Sequence, residues 1–182
     1  MPPAPVQLGI TITQSVARGK TSFKKREWPA CGSVTSTKQQ AVSAKLVIMS
    51  PQIFDDALSA YFAPWVQALQ LRLESCEAGS VIVRLPQHDQ LSRVGGMVCG
   101  QAMMAAADTC MVFALMQHWG EFRPCTTVQM NTSFLKPLSA QDALVEARLV
   151  RVGKSLAFGE IDIRGAIDGK SVCRATTTYA LL

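Results

Sequence analysis

A long apolar segment with a single charged residue limits what this chain can fold into. Residues 100–116 read Gly-Gln-Ala-Met-Met-Ala-Ala-Ala-Asp-Thr-Cys-Met-Val-Phe-Ala-Leu-Met, and Asp108 is their only charge. A helix formed by this segment has almost no polar face, so we expect it to be buried on all sides. An ionised carboxylate inside a protein must be hydrogen-bonded, paired, or open to a water-filled cleft. Asp108 is therefore either a structural hydrogen-bonding residue or a catalytic one.

Composition and charge narrow the classes of function. The chain has 182 residues, of which 48% are hydrophobic, enough for one domain with a sizeable core. The net charge of +5 is concentrated in residues 1–48, which carry seven basic residues and one acidic residue, whereas residues 49–182 carry 11 basic and 12 acidic residues. We therefore expect no nucleic acid partner for the domain. The longest apolar run is too short to span a membrane, so we expect no membrane partner either.

Cysteines and histidines are too scattered for a metal site or a disulfide framework. The chain has six cysteines and two histidines, with no Cys-x-x-Cys spacing. We expect no metal and no cofactor, and we interpret cysteines such as Cys110 as small buried hydrophobic residues in a reducing compartment, the cytoplasm. The cysteines are Cys31, Cys76, Cys99, Cys110, Cys125 and Cys173, and the histidines are His88 and His118.

The chain divides into a tail and a domain. Residues 1–48 are rich in Ser, Thr, Lys, Gln and Pro and show no sustained hydrophobic period, so we predict a disordered basic tail. A targeting segment, an arm for an anionic partner, or a start codon assigned upstream of Met49 are the alternatives. Residues 49–182 are predicted to form one domain.

Hydrophobic periodicity predicts the order of elements in this domain. An amphipathic helix from Phe54 to Leu71, kinked or divided at Pro64, comes first. One strand, the long apolar helix and four strands joined by short hairpins follow. Gly153-Lys154 is predicted to be a tight turn, and residues 167–170 an Asp-Gly hairpin. The predicted strands are residues 76–85, 126–135, 144–152, 155–164 and 171–180.

This order predicts an α+β fold in which an antiparallel β-sheet wraps around a long central apolar helix. A flat sheet cannot cover a helix that is apolar on every side, so the sheet must curl. About five or six strands are too few to enclose the helix completely. We therefore expect a second copy of the chain to cover the remainder, giving a homodimer.

Four stretches of the domain carry a family pattern, in the order 97–109, 127–137, 142–158 and 174–179. The first holds Gly100 and Asp108, and the second ends in Asn-Thr-Ser-Phe-Leu-Lys-Pro. Together they resemble the hotdog-fold acyl-CoA thioesterases of the phenylacetate-degradation type, over residues 75–182. The sequence departs from the family at three positions: Cys99 replaces a histidine, Gln101 replaces a glycine, and Arg93 replaces what is often an asparagine.

The resemblance implies an acyl-CoA thioesterase that hydrolyses its substrate to a free carboxylic acid and CoA. Asp108 lies at the position of the catalytic carboxylate, either as the nucleophile or as a general base for water. The backbone N–H of Gly100, at the start of the helix, is the implied oxyanion donor. Thr127 lies at a position where relatives supply a hydroxyl from the opposite subunit, although an ordinary strand threonine is the alternative.

Five further residues are candidates for substrate binding. Arg151 and Lys154 flank the turn where the resemblance places the CoA phosphates, or they are simply solvated charges. Gln101 either contacts the oxyanion site or caps the helix. Cys99 and Arg93 take family positions beside the site. Cys99 is disfavoured as a nucleophile because no histidine is near it in sequence.

Other interpretations remain open at this level. A hydratase is disfavoured, because related hydratases carry a histidine in the helix region and this chain has none between His88 and His118. A non-catalytic acyl-CoA-binding or regulatory module, in which Asp108 only accepts internal hydrogen bonds, is the competing function. The methionines Met103, Met104, Met111 and Met116 are compatible with an adaptable acyl pocket or with plain core. The carrier, CoA or acyl carrier protein, and the assembly, dimer or dimer of dimers, are undecided.

Overall fold

The apolar segment forms one long helix. In a computed structural model, which describes residues 49–182, helix α3 (Gly100–Trp119) has 20 residues, and 12 of them are buried. The helix ends at Gly120, whose φ of 74° is left-handed and whose N–H donates to the Met116 carbonyl, a common way for a helix to end at glycine. The predicted tail, residues 1–48, lies outside the described residues.

Two short helices precede the sheet, α1 (Pro51–Tyr61) and α2 (Pro64–Gln67). The Ser50 hydroxyl accepts a hydrogen bond from the Ile53 N–H at 3.2 Å and caps α1. The predicted division of this region at Pro64 is confirmed, since α2 begins there. Helix α1 packs on α3 through Phe54, whose ring stacks on that of Phe113 with centroids 4.1 Å apart.

Six strands form one antiparallel sheet in the order β1-β2-β6-β7-β8-β5, and a two-stranded hairpin, β3-β4, precedes α3. A 3-10 turn, Asp89–Leu91, leads into that hairpin. The strands are β1 (Arg72–Glu77), β2 (Ser80–Leu85), β3 (Ser92–Arg93), β4 (Met97–Val98), β5 (Cys125–Phe134), β6 (Ala143–Val152), β7 (Leu156–Gly165) and β8 (Ser171–Leu181).

The structure corrects two details of the predicted topology. The predicted strand 76–85 is two strands, because the chain turns at Gly79, which has a φ of 80°. The connection from β5 to β6 is not a hairpin, because β5 pairs with β8 and β6 pairs with β2. The first error is a missed turn at a glycine. The second arises because hydrophobic alternation reports which face a residue occupies and carries no information about which strand is its neighbour.

The predicted packing of a sheet around a central helix is confirmed. Helix α3 packs mainly on β2 and β6, whose helix-facing residues, such as Val83 and Val145, are fully buried. Strand β7 approaches closely because Gly159 has no side chain, and a Cβ there would lie 2.2 Å from the Met111 Cε. Three of the four methionines, Met103, Met111 and Met116, are buried in this core.

One face of α3 is left uncovered by the sheet. Five residues that share this face at the i, i+3, i+4, i+7 and i+11 positions of a helix are not buried: Gln101, Met104, Ala105, Asp108 and Val112. The edge strand β5 lies beside it and contains no buried residue. The prediction that one sheet cannot enclose the helix is therefore confirmed. No helix in the part of the chain that the structure describes could cross a membrane.

Candidate functional site

The Asp108 carboxylate lies on the uncovered face of α3 and is held by two hydroxyl groups. The Thr127 Oγ1 donates to Asp108 Oδ1 at 2.8 Å. The Tyr179 hydroxyl donates to the same Oδ1 and also lies 3.0 Å from the Asp108 backbone carbonyl oxygen. A phenol has one hydrogen, and a charged acceptor binds it more strongly than a neutral carbonyl, so the carboxylate receives it.

Strand register brings the two hydroxyls together. Thr127 on β5 pairs directly with Tyr179 on β8, so both side chains lie on the helix-facing side of the sheet. The register shifts just after Thr127, where Val128 is an extra residue in β5, and such a bulge re-aims neighbouring side chains. Tyr179 is only 1% exposed. The site is therefore built on two paired strands and one helix, all within one chain.

The electrostatics of the site are set by neutral donors. Within residues 49–182, no lysine, arginine or histidine pairs with Asp108. Burial and the nearby Asp108 charge raise the pKa of the Tyr179 phenol above its ordinary value of 10.0, so the phenol stays protonated and remains a donor at neutral pH. The half-buried Cys125 has its pKa raised by burial and by the same carboxylate.

The start of α3 carries a free backbone donor. Gly100 is the first residue of the helix, Cys99 is its N-cap, and the Cys99 side chain makes no capping bond. Within the described residues no acceptor takes the Gly100 N–H. The Phe134 ring lies against Gly100, so that a Cβ there would be 3.0 Å from the nearest ring carbon. At 1.5 Å per residue, Gly100 and Asp108 are about 12 Å apart along the helix axis.

Three candidate residues lie next to that helix start. Cys99 is partly buried, and its N–H donates to the Leu91 carbonyl at 2.8 Å, which anchors the chain entering α3. Arg93 is exposed on the β3-β4 hairpin, with its Nη2 3.7 Å from the Met97 Sδ. The Gln101 side chain is exposed and makes no hydrogen bond within residues 49–182.

The two basic candidates lie elsewhere. Arg151 and Lys154 are exposed at the predicted tight turn between β6 and β7, which is closed by a 2.8 Å bond from the Gly153 N–H to the Leu156 carbonyl. Register places Val152 opposite Ala157 and Ala157 opposite Tyr179. The turn therefore lies at the Asp108 end of the sheet, away from Gly100.

Tyr179 is the site residue that sequence reasoning missed. The last strand, 171–180, was predicted, and its alternation places Ala175, Thr177 and Tyr179 on one face. A phenol on the helix-facing side of a buried strand requires a polar partner, and that requirement was the available signal. In the described residues no group of His, Cys, Asp and Glu side chains could hold a metal ion.

Comparison with known proteins assigns the family. A model described as the thioesterase superfamily matches residues 95–172. This stretch belongs to the thioesterase superfamily. The thioesterase stretch includes α3 and β5, and with them Gly100, Asp108 and Thr127. The prediction of a hotdog thioesterase is confirmed for this stretch, and with it the prediction of an enzyme of the hydrolase class.

Curated proteins similar to this chain include two that are named as esterases, both from Thermoplasma. One from Thermoplasma acidophilum is 28% identical over 105 residues, which are 58% of this chain and 76% of the relative. Another from Thermoplasma volcanium is 26% identical over 114 residues, 63% of this chain and 83% of the relative.

Solved structures confirm the hotdog fold. A thioesterase from Haemophilus influenzae superposes with a TM-score of 0.67 at 17% identity, covering 74% of this chain and 91% of the other. Zebrafish thioesterase superfamily member 2 gives 0.64 at 22% identity, covering 72% and 95%. A mutant of the phenylacetic acid degradation protein PaaI from Thermus thermophilus gives 0.58 at 21% identity, covering 66% and 100%. At these identities the likeness concerns the fold alone.

Proposed function

We propose that the protein is an acyl-CoA thioesterase that hydrolyses a thioester to a carboxylic acid and CoA, with Asp108 as the reacting carboxylate. The observation that carries this proposal is the state of Asp108: a half-buried carboxylate on an open helix face, held by hydroxyls and unpaired with any cation in residues 49–182. A reacting carboxylate must keep an electron pair available, and a carboxylate on an open helix face that is not paired with a cation meets this requirement.

Two routes are chemically balanced at this site. In direct attack, a carboxylate oxygen bonds to the thioester carbon, the C–S bond breaks, the thiolate leaves, and water then cleaves the acyl-enzyme anhydride. In the general-base route, the carboxylate takes a proton from water, the oxygen of that water bonds to the carbon, the C–S bond breaks, and the proton passes to the leaving thiolate. Both routes place negative charge on the carbonyl oxygen, which needs a donor such as the Gly100 N–H.

One chain cannot supply both groups to one carbonyl. An oxyanion donor must lie about 3 Å from the oxygen it stabilises, whereas Gly100 and Asp108 are about 12 Å apart along α3. We therefore propose that Asp108 acts with Gly100 of a second copy. Thr127 contacts Asp108 of its own chain, so on this proposal each site takes the carboxylate and its hydroxyls from one subunit and the oxyanion donor from the other.

The unpaired edge of the sheet supports a homodimer. Strand β5 lies at the edge, and every one of its ten residues is at least partly exposed, including Val128 at 60% and Phe134 at 50%. An exposed edge with apolar residues requires a partner. Pairing of β5 with β5 of a second copy would also cover Met104 on the open face of α3. A dimer or a dimer of dimers meets this requirement.

The remaining candidates are assigned supporting roles. Gln101, Cys99 and Arg93 surround the start of α3 and would contact the thioester or the pantetheine arm, and Arg151 and Lys154 would contact phosphates of CoA. The five cysteines of residues 49–182 are unpaired, which favours a reducing compartment, so we place the reaction in the cytoplasm.

The test is thiol release from short, medium, long and aryl acyl-CoA thioesters by the wild type and by Asp108→Asn. We expect Asp108→Asn to lower kcat by about 10²–10⁴-fold. The matched control is Asp55→Asn, the same chemical change at an exposed position of α1, which should leave turnover unchanged. If the wild type binds acyl-CoA but hydrolyses none of these thioesters, the non-catalytic binding module becomes the correct account.

A further inference from the structure

The two hydroxyls at Asp108 act on one oxygen only. Thr127 and Tyr179 both donate to Oδ1, and within residues 49–182 no group donates to Oδ2. A carboxylate held in this way cannot rotate freely about its Cβ–Cγ bond without breaking two hydrogen bonds to a charged acceptor. The two oxygens are therefore different in chemical terms, although the isolated carboxylate is symmetric.

We infer that Tyr179 is a positioning residue that holds Asp108 through Oδ1 and reserves Oδ2 as the oxygen that attacks the thioester or deprotonates water. This inference rests on the proposed thioesterase function. Tyr179 suits the role because it is fixed by the core: it is 1% exposed and lies between Thr127 and Ala157 in the register of the sheet. Water therefore cannot readily replace its hydroxyl as the donor.

The position of Tyr179 has a consequence for turnover. Without its hydroxyl, Thr127 is the one remaining donor to Oδ1 within residues 49–182, and the carboxylate rotates more freely. A misoriented carboxylate slows the chemical step and leaves the substrate contacts unchanged, so kcat should fall while KM stays the same.

The kinetic test compares Tyr179→Phe, which deletes the hydroxyl alone, with the wild type. We expect a kcat about tenfold lower and a KM within about twofold. The matched control is Thr177→Val, which removes another buried hydroxyl from the same face of β8. That hydroxyl lies 3.5 Å from the Gly159 carbonyl and does not contact Asp108, so the kcat and KM of this variant should match those of the wild type.

A second measurement is independent of turnover. The chain contains only two tyrosines, Tyr61 and Tyr179, so labelling with 3-fluorotyrosine gives two ¹⁹F resonances. Tyr61 is 53% exposed and stacks on Phe122, which makes it an internal reference. We expect Asp108→Ala to shift the Tyr179 resonance and leave that of Tyr61 in place.

The outcomes separate this inference from the proposed function. If the wild type hydrolyses thioesters and a folded Tyr179→Phe keeps the wild-type kcat, the positioning role is refuted. If Tyr179→Phe does not fold, an unchanged ¹⁹F resonance of Tyr179 in Asp108→Ala refutes the positioning role instead. If the wild type hydrolyses no thioester, the proposed function fails and the positioning role fails with it, while a shifted Tyr179 resonance would still establish the contact with Asp108.

Discussion

Mixing two inactive variants should restore activity if each site is shared between two subunits. The first variant is Asp108→Asn, which lacks the carboxylate. The second is Gly100→Pro, which lacks the backbone N–H at the first position of α3, where proline is well tolerated. The preceding residue, Cys99, has a ψ of 149°, an extended conformation that suits a residue before proline. Each variant alone should fold, and Gly100→Pro should lose about 10²–10³-fold in kcat.

The expected recovery follows from the arrangement of the site. A mixed dimer has one site with Asp108 from the Gly100→Pro chain and Gly100 from the Asp108→Asn chain, and this site is intact. Its other site lacks both groups. Because random mixing gives half mixed dimers and half of their sites are intact, the mixture should reach about a quarter of wild-type turnover. If each site lay within one chain, no intact site would form.

The assay is thiol release after co-refolding the two variants in equal amounts, with native mass spectrometry of differently tagged chains to count mixed dimers. Gly100→Ala is the matched control, since it adds the same Cβ against the Phe134 ring, 3.0 Å from its nearest carbon, but keeps the N–H. It should retain far more activity than Gly100→Pro. Mixed dimers present in the expected amount without recovered turnover would refute the shared site.

Three further predictions concern packing and charge. Gly159→Ala should lower the free energy of unfolding by about 1–3 kcal/mol, because its Cβ would lie 2.2 Å from the Met111 Cε. In urea denaturation, the double variant Gly159→Ala/Met111→Ala should lose less free energy of unfolding than the sum of the losses of the two single variants. Burial raises the pKa of the Cys110 thiol to about 12, so iodoacetamide at pH 8 should label it only after unfolding, as peptide mass spectrometry will show. Arg164 and Arg148 lower the pKa of Glu146 from its ordinary 4.5, so the wild type should exceed Glu146→Gln in stability by about 1 kcal/mol at pH 7. That difference should shrink as the pH falls below 4.5, and a difference that stays constant in melts down to pH 3 would contradict the assignment.

The elements of the fold were largely predictable because their signals are local. The lack of polar residues between Ala102 and Met116 predicts a central helix, and period-two alternation predicts the strands on either side of the Gly153 turn. The strand order was not predictable in the same way. The pairing of β5 with β8 joins residues that are 39 to 56 positions apart, such as Thr127 and Tyr179, and alternation is the same for any choice of neighbour.

The candidate site was predictable only in part. Asp108 is conspicuous because a charge in an apolar helix needs an explanation, and Gly100 is conspicuous because it starts that helix. Thr127 entered through the family resemblance, which implied a hydroxyl from the opposite subunit, and within one chain its hydroxyl contacts Asp108. Tyr179 was missed because its partner lies 71 residues away.

The sequence by itself determined that an apolar helix must be surrounded by sheet and that its one carboxylate must find polar partners, since both follow from the cost of exposing apolar surface and of burying charge. Tertiary structure alone decided which partners those are. Strand register and the bulge after Thr127 bring two hydroxyls to one oxygen of Asp108, and the placement of β5 at the sheet edge leaves that residue open. The hydrophobic periodicity of the sequence specifies which face of a helix or strand a residue occupies. A functional site also requires particular neighbours on that face, and only the packed chain supplies them.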